Sequence, residues 1–175
     1  ELKHYLKADL ESTLHQFFSP EETQQNIPVM RKKYEEVYLD HTYFLDGAKE
    51  VLETLYNRGV ILGVASNKFG HFSRGALQHL KVSPYFKSVI GAGDVPRNKP
   101  FPDMIHTALR EMGLSPEEVV FVGDTLTDIE TGKEAGVDVY ALPTGFHTRK
   151  ELSQKKPKRI LKSLKELTTL LDQPL

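Results

Sequence analysis

From Val60 onward the chain alternates short apolar runs with amphipathic stretches, and this alternation limits the folds open to it more than any other feature. The runs are Val60–Ala65, Ser88–Ala92, Val119–Val122 and Val137–Leu142. Each is about one strand long and apolar at successive positions, so both faces must be buried, as in strands held between helical layers. Between them, residues 71–81, 102–113 and 127–135 carry apolar side chains at helical spacing. Strand and helix in strict succession predict an α/β fold built on a doubly wound parallel sheet. A short Ile160-Leu161 strand and a last helix, opened by Ser163-Leu164-Lys165-Glu166, complete the pattern.

Residues 1–58 have a different texture, helical throughout. Leu6, Leu10, Leu14, Phe17 and Phe18 recur at helical spacing. Ser19-Pro20-Glu21-Glu22 is a helix start: Ser19 caps, Pro20 fits the first turn and Glu22 closes a capping box. The helix it opens runs to about Leu39, and Asp46-Gly47 opens another with Val51, Leu52 and Leu55 inward. Ser115-Pro116-Glu117-Glu118 repeats the capping pattern. We therefore expect a helical segment over residues 1–43 and an α/β segment over 44–175.

Composition narrows the function classes. The 175 residues include no cysteine, which excludes a disulfide framework, a thiolate metal site and a cysteine nucleophile. A net charge of −1 argues against nucleic acid as a partner. The C-terminal stretch from His147 is basic, with eight Lys or Arg against three acids. No aromatic residues interleave with those charges as single-strand binding requires, so a solvated surface accounts for them. No apolar run approaches the roughly 20 residues of a membrane span. With no cysteine and no leader-like segment, a cytoplasmic location is the expectation.

In open parallel sheets ligands gather at the carboxyl ends of the strands, so those ends carry the candidate chemistry. The first ends in Ser66-Asn67-Lys68, where a hydroxyl and an amide before a helix N-terminus either hold an anion or cap the turn. After the second comes Asn98-Lys99-Pro100-Phe101-Pro102-Asp103. There two prolines fix the backbone beside Lys99, a cation for a phosphate or a carboxylate. The third drives into Gly123-Asp124-Thr125-Leu126-Thr127-Asp128. The two carboxylates are four residues apart and return to one side of the helix. They suit a hard cation such as Mg²⁺, or one of them caps the helix. Ser66 lacks the Gly-x-Ser-x-Gly elbow of a serine hydrolase. The seven histidines show no metal-ligand spacing, although His71 and His147 fall in loops near these ends.

Taken in order, the three strand ends resemble the haloacid dehalogenase superfamily of phosphatases over about residues 44–171. Ser66-Asn67 resembles its second motif, Lys99 in Asn-Lys-Pro-Phe-Pro-Asp its third, and Gly123-Asp124-Thr125-Leu126-Thr127-Asp128 its fourth. Val95-Pro96-Arg97 and Thr144-Gly145-Phe146-His147-Thr148-Arg149-Lys150-Glu151-Leu152 are most similar to phosphoglycolate-phosphatase-like members. The resemblance implies a Rossmann-like core, with residues 1–43 as part of a helical cap that selects substrate. It also implies an Mg²⁺-dependent phosphatase acting on a small phosphate monoester through an aspartyl-phosphate intermediate. On that pattern Asp124 and Asp128 hold the metal, Ser66 and Asn67 bind the phosphoryl oxygens, and Lys99 offsets their charge.

The family's opening motif, Asp-x-Asp-x-Thr/Val, which supplies the nucleophile and the general acid, is not found in these 175 residues. The resemblance implies that it lies upstream of Glu1, on a central strand between those ending at Ser66 and Asp124. Without that strand the sheet is expected to split in two, and this chain alone to be inactive. The alternative function is a non-catalytic relative or fragment that binds a phosphorylated ligand or a protein partner. A phospho-accepting receiver domain is disfavoured, because its acidic cluster would precede the acceptor rather than follow Ser66 and Lys99.

Overall fold

A computed structural model of the chain describes residues 14–170, so Leu6 and Leu10 of the first helical pattern lie outside the described residues. The chain divides into two compact units, Glu1–Thr42 and Tyr43–Leu175. In the first, helix α1 spans Pro20–Val37 behind the expected capping box, with Ser19 and Glu22 exchanging hydrogen bonds. Leu14, Thr23 and Ile27 are buried. Phe17 and Phe18 depart from the sequence expectation. They lie in a turn before α1 rather than on a helix, and Phe17 is 57 % exposed. The capping box starts the helix only at Pro20, so the helical spacing of those two rings never reaches a core.

In the second unit the elements run α2 (Ala48–Asn57), β1 (Leu62–Phe69), α3 (Gly70–His79), β2 (Phe86–Ala92), α4 (Asp103–Met112), β3 (Val120–Gly123), α5 (Leu126–Glu134), β4 (Asp138–Ala141), α6 (Arg149–Gln154), β5 (Arg159–Ile160) and α7 (Glu166–Leu170). Every strand pairing is parallel. Strands and helices alternate as the apolar runs require, with boundaries moved by a few residues. The largest move is in β1, which runs on through Ser66-Asn67-Lys68 to Phe69 because Ser66 and Phe69 still pair with Gly91 and Ala92 of β2. Ser115 does open a capping box, but it yields a single 3₁₀ turn, Pro116–Glu118. Helix α6 opens on a further capping box, Thr148 with Glu151.

The strands form two sheets, β1-β2 and β3-β4-β5. Among the described residues, β1 and β3 each have one edge with no strand partner. An apolar cavity of about 710 Å³ is lined by both edges, from Val60–Ala65 and Val119–Val122. Its walls are Val51, Leu52 and Leu55 of α2, Ile105 and Leu109 of α4, and Leu164, Leu167 and Leu170 near the C-terminus. Helix α4 spans the two sheets. Met104 and Ala108 pack with Ile90 and Ala92 of β2, while Ile105 and Leu109 pack with Ala135, Val137 and Phe121 on the β3 side. Strand β4 is buried on both faces: Val139 and Ala141 meet Ile129 of α5 and Leu152 of α6, and Tyr140 packs with Leu161, Leu164 and Leu167.

Met104 has no exposed surface and anchors the α4–β2 contact. Truncation there removes the transfer energy and leaves a void, so Met104→Ala is expected to destabilise by about 2–5 kcal/mol in urea unfolding. A loss under about 1 kcal/mol would show that α4 does not hold β2 through this side chain.

Candidate functional site

Because the strands are parallel, their carboxyl ends share one edge, and the candidate residues come from three of those ends. Gly123 ends β3, and Leu142 N–H donates to its carbonyl at 2.8 Å. A Cβ on Gly123 would lie 2.3 Å from Cβ of Asp128. Only glycine lets the first turn of α5 fold back this closely.

Asp128 is fully engaged. Its Oδ2 accepts from the backbone N–H of Asp124 at 3.1 Å, the N–H of Thr125 at 3.0 Å and the Thr125 hydroxyl at 2.6 Å. Thr125 caps α5 in return, accepting from Asp128 N–H at 3.0 Å. The other oxygen, Oδ1, lies 2.6 Å from Lys99 Nζ. Both side chains are nearly enclosed, 12 % exposed for Lys99 and 6 % for Asp128. Burial pushes the Asp128 carboxyl upward. The Lys99 charge and the hydrogen bonds from Lys99 and Thr125 outweigh it and hold the group below the usual carboxylate range. Lys99 Nζ also stands 5.6 Å from the centre of the Phe121 ring.

Asp124 is the opposite case. No side chain donates to its carboxylate within hydrogen-bond distance among the described residues. Burial, then the negative charge of Asp128, push its carboxyl above the usual range, and its own backbone N–H, Lys99 and His147 only partly offset this. A Cβ on Gly145, in the loop after β4, would lie 1.9 Å from Asp124 Oδ2, so that loop's backbone closes over the carboxylate. His147 follows two residues on, with Nδ1 buried and without a partner. A desolvated carboxylate beside a second one is a hard, anionic oxygen site that a divalent cation would satisfy. Among the described residues no three His, Asp or Glu side chains converge on a metal position. Both Asp128 oxygens already accept hydrogen bonds, whereas neither Asp124 oxygen accepts one from a side chain among the described residues.

Ser66 and Asn67 lie near the carboxyl end of β1. The Ser66 hydroxyl accepts from Lys68 N–H at 3.1 Å, an arrangement that leaves its own O–H to donate. Asn67 Nδ2 donates to the Lys99 carbonyl at 3.1 Å, and Lys99 N–H donates to Asn67 Oδ1 at 3.0 Å. One N–H of the amide stays available. Asn67, Lys99 and Asp128 therefore form one connected group spanning both sheets, with Asp124 beside it. His147, expected near these strand ends, does act on Asp124 through its charge, whereas the Asn67–Lys99 link and the Gly145 approach were not legible in sequence, because their partners are 32 and 21 positions away.

A family model for haloacid dehalogenase-like hydrolases matches residues 1–142. The chain belongs to that family. Within it, the chain is similar to phosphoglycolate phosphatases, among them that of Shigella boydii, at 30 % identity over 155 residues. The match takes in 86 % of this chain and 62 % of that protein, so the chain spans less than two thirds of such relatives. A haloacid dehalogenase-like hydrolase from Streptococcus pneumoniae has the same fold, with a TM-score of 0.87 at 22 % identity over 97 % of this chain and 80 % of its own. A HAD-superfamily hydrolase of subfamily IA, variant 1, from Geobacter sulfurreducens aligns with a TM-score of 0.73 at 26 % identity, covering 95 % and 74 %. No described helix is long and apolar enough to cross a membrane.

The two carboxylates make opposite contributions to stability. The Asp128 contribution is fully present above the ordinary carboxylate range and is lost as pH falls through its depressed value. The Asp124 contribution is lost as pH rises through its raised value. Without divalent cations at neutral pH, Asp124→Asn is therefore expected to raise Tm and Asp128→Asn to lower it. Thermal unfolding of the two variants at pH 5 and pH 7 checks the signs. A lower Tm for Asp124→Asn at pH 7 would contradict an uncompensated Asp124 charge.

Proposed function

We propose that this protein works as an Mg²⁺-dependent phosphatase of small phosphate monoesters. The observation that carries the reading is the buried Lys99–Asp128 pair beside an only partly compensated Asp124, at the shared edge of parallel strands in a hydrolase family. In this reading the Ser66 O–H and the free N–H of Asn67 donate to the phosphoryl oxygens. Lys99, held near the same position, offsets their negative charge and that of the nucleophile. These contacts strengthen as charge builds on the phosphoryl group, so they act mainly on turnover. Asp124 would ligate Mg²⁺ and Asp128 would support it through Lys99, Thr125 and water. The metal would screen the like charges of phosphate and nucleophile.

The nucleophile is assigned to a further parallel strand seated between β1 and β3. Two open strand edges and an apolar cavity shared by them support this. A strand there would pair with both edges and bury apolar side chains on both faces. It would end at the same carboxyl edge, where an aspartate could attack phosphorus in line and form an aspartyl phosphate that water then cleaves. Without that strand the remaining groups would hold a phosphorylated ligand and transfer nothing, so the 175-residue chain is proposed to be inactive by itself. The helical unit before residue 43 is assigned to a cap that limits access and selects substrate.

In protein carrying that strand, Asp124→Ala should abolish Mg²⁺-dependent hydrolysis, and Lys99→Ala should cut kcat by about 10² or more. Steady-state assays on a panel of small phosphate monoesters, with and without Mg²⁺, read both. Full activity of Asp124→Ala would remove the metal assignment, and a near-normal kcat for Lys99→Ala would make Lys99 a bystander.

A further inference from the structure

We propose that Asn67 is the positioning residue for Lys99, a role that rests on the phosphatase reading for its consequence but not for its geometry. Asn67 belongs to β1, and Lys99 stands in the loop after β2. In this part of the chain Lys99 is not in a strand, so no sheet pairing fixes its backbone. The Asn67 carboxamide takes that place. It donates to the Lys99 carbonyl and accepts from the Lys99 N–H, at 3.1 and 3.0 Å. A side-chain amide has one donor face and one acceptor face, as a peptide group has, and here it pairs with one residue in the manner of a neighbouring strand.

The consequence follows from the lysine side chain. Four rotatable carbons let an ammonium wander unless its root is fixed. Lys99 Nζ must reach Asp128 Oδ1 at 2.6 Å across the gap between the two sheets, in a nearly enclosed position. A buried ion pair tolerates displacement poorly, because each separated charge remains desolvated. Pinning both the N–H and the carbonyl of Lys99 fixes where the stem starts, and the ammonium then finds Asp128. A carboxamide is required for both bonds. Aspartate offers only acceptors, and alanine offers neither.

The test reads Lys99 directly, in the chain without ligand or metal. Brief acylation with acetic anhydride, followed by peptide mass spectrometry, gives a labelling rate for each lysine. Asp128→Asn, which weakens the ion pair itself, marks the rate of a released Lys99. Asn67→Ala is expected to raise Lys99 labelling tenfold or more, toward that mark. Lys133, whose Nζ donates to the Lys155 carbonyl elsewhere in the fold, should be unchanged. Lys99 labelling within twofold of wild type would overturn the proposal, and so would a parallel rise at Lys133, which would make Asn67 a general fold contact. If Asn67 served only to bind phosphoryl oxygens, Lys99 in the ligand-free chain would not respond. Protein carrying the proposed strand that hydrolyses no phosphate ester would defeat the preceding function while the labelling still decides this link. Active protein with unchanged Lys99 labelling in Asn67→Ala would defeat this inference alone.

Discussion

The Lys99–Asp128 ion pair is the interaction on which the site depends. Lys99 follows the β1-β2 sheet and Asp128 follows β3 of the other sheet, so one contact of 2.6 Å ties the two halves together at their functional edge. An enclosed pair of this kind survives only if its remaining hydrogen-bond capacity is filled. Thr125 and the Asp124 backbone do this for Asp128, and Asn67 steadies the Lys99 backbone. Deeper in the unit, α4 joins the same two halves through apolar contacts with both sheets. The polar link above and the apolar link below hold the edges of β1 and β3 around the cavity they share.

The same arrangement separates the two carboxylates by electrostatics. Asp128 has a cation and several donors, and stays ionised readily. Asp124, four residues earlier, has burial and a like charge. Adjacent acids driven in opposite directions differ in what they can do. The satisfied one organises the helix start and the lysine, whereas the unsatisfied one is the group the proposed function assigns to the metal. The Gly145 backbone, packed over Asp124, keeps side chains off that carboxylate while closing it from one side.

Much of this was legible in the sequence because it rests on short-range rules. Apolar runs of strand length gave the order of elements, and the Gly123-Asp124 to Asp128 spacing gave a turn that folds back on itself. The alternative that Asp128 caps a helix proved true of its geometry, since it closes the α5 capping box while also pairing with Lys99. Other features stayed hidden for physical reasons. The polar Ser66-Asn67-Lys68 reads as a loop, yet β2 pairing carries β1 through it. The reciprocal bonds of Asn67 and Lys99 join positions with no pattern between them. Phe17 and Phe18 show that helical spacing alone does not decide burial where a capping box sets the helix start further on.

In the proposed function this edge carries phosphoryl transfer to an aspartate beside Lys99 and Asp124. The most direct measurement is an acid quench of protein carrying the proposed strand during turnover of a labelled phosphate monoester with Mg²⁺. The account predicts a phosphoprotein approaching one label per chain in the steady state when breakdown is slow, released by hydroxylamine as an acyl phosphate must be, and absent when Mg²⁺ is chelated. Turnover of the ester under single-turnover sampling with no hydroxylamine-sensitive label at any time point would contradict it.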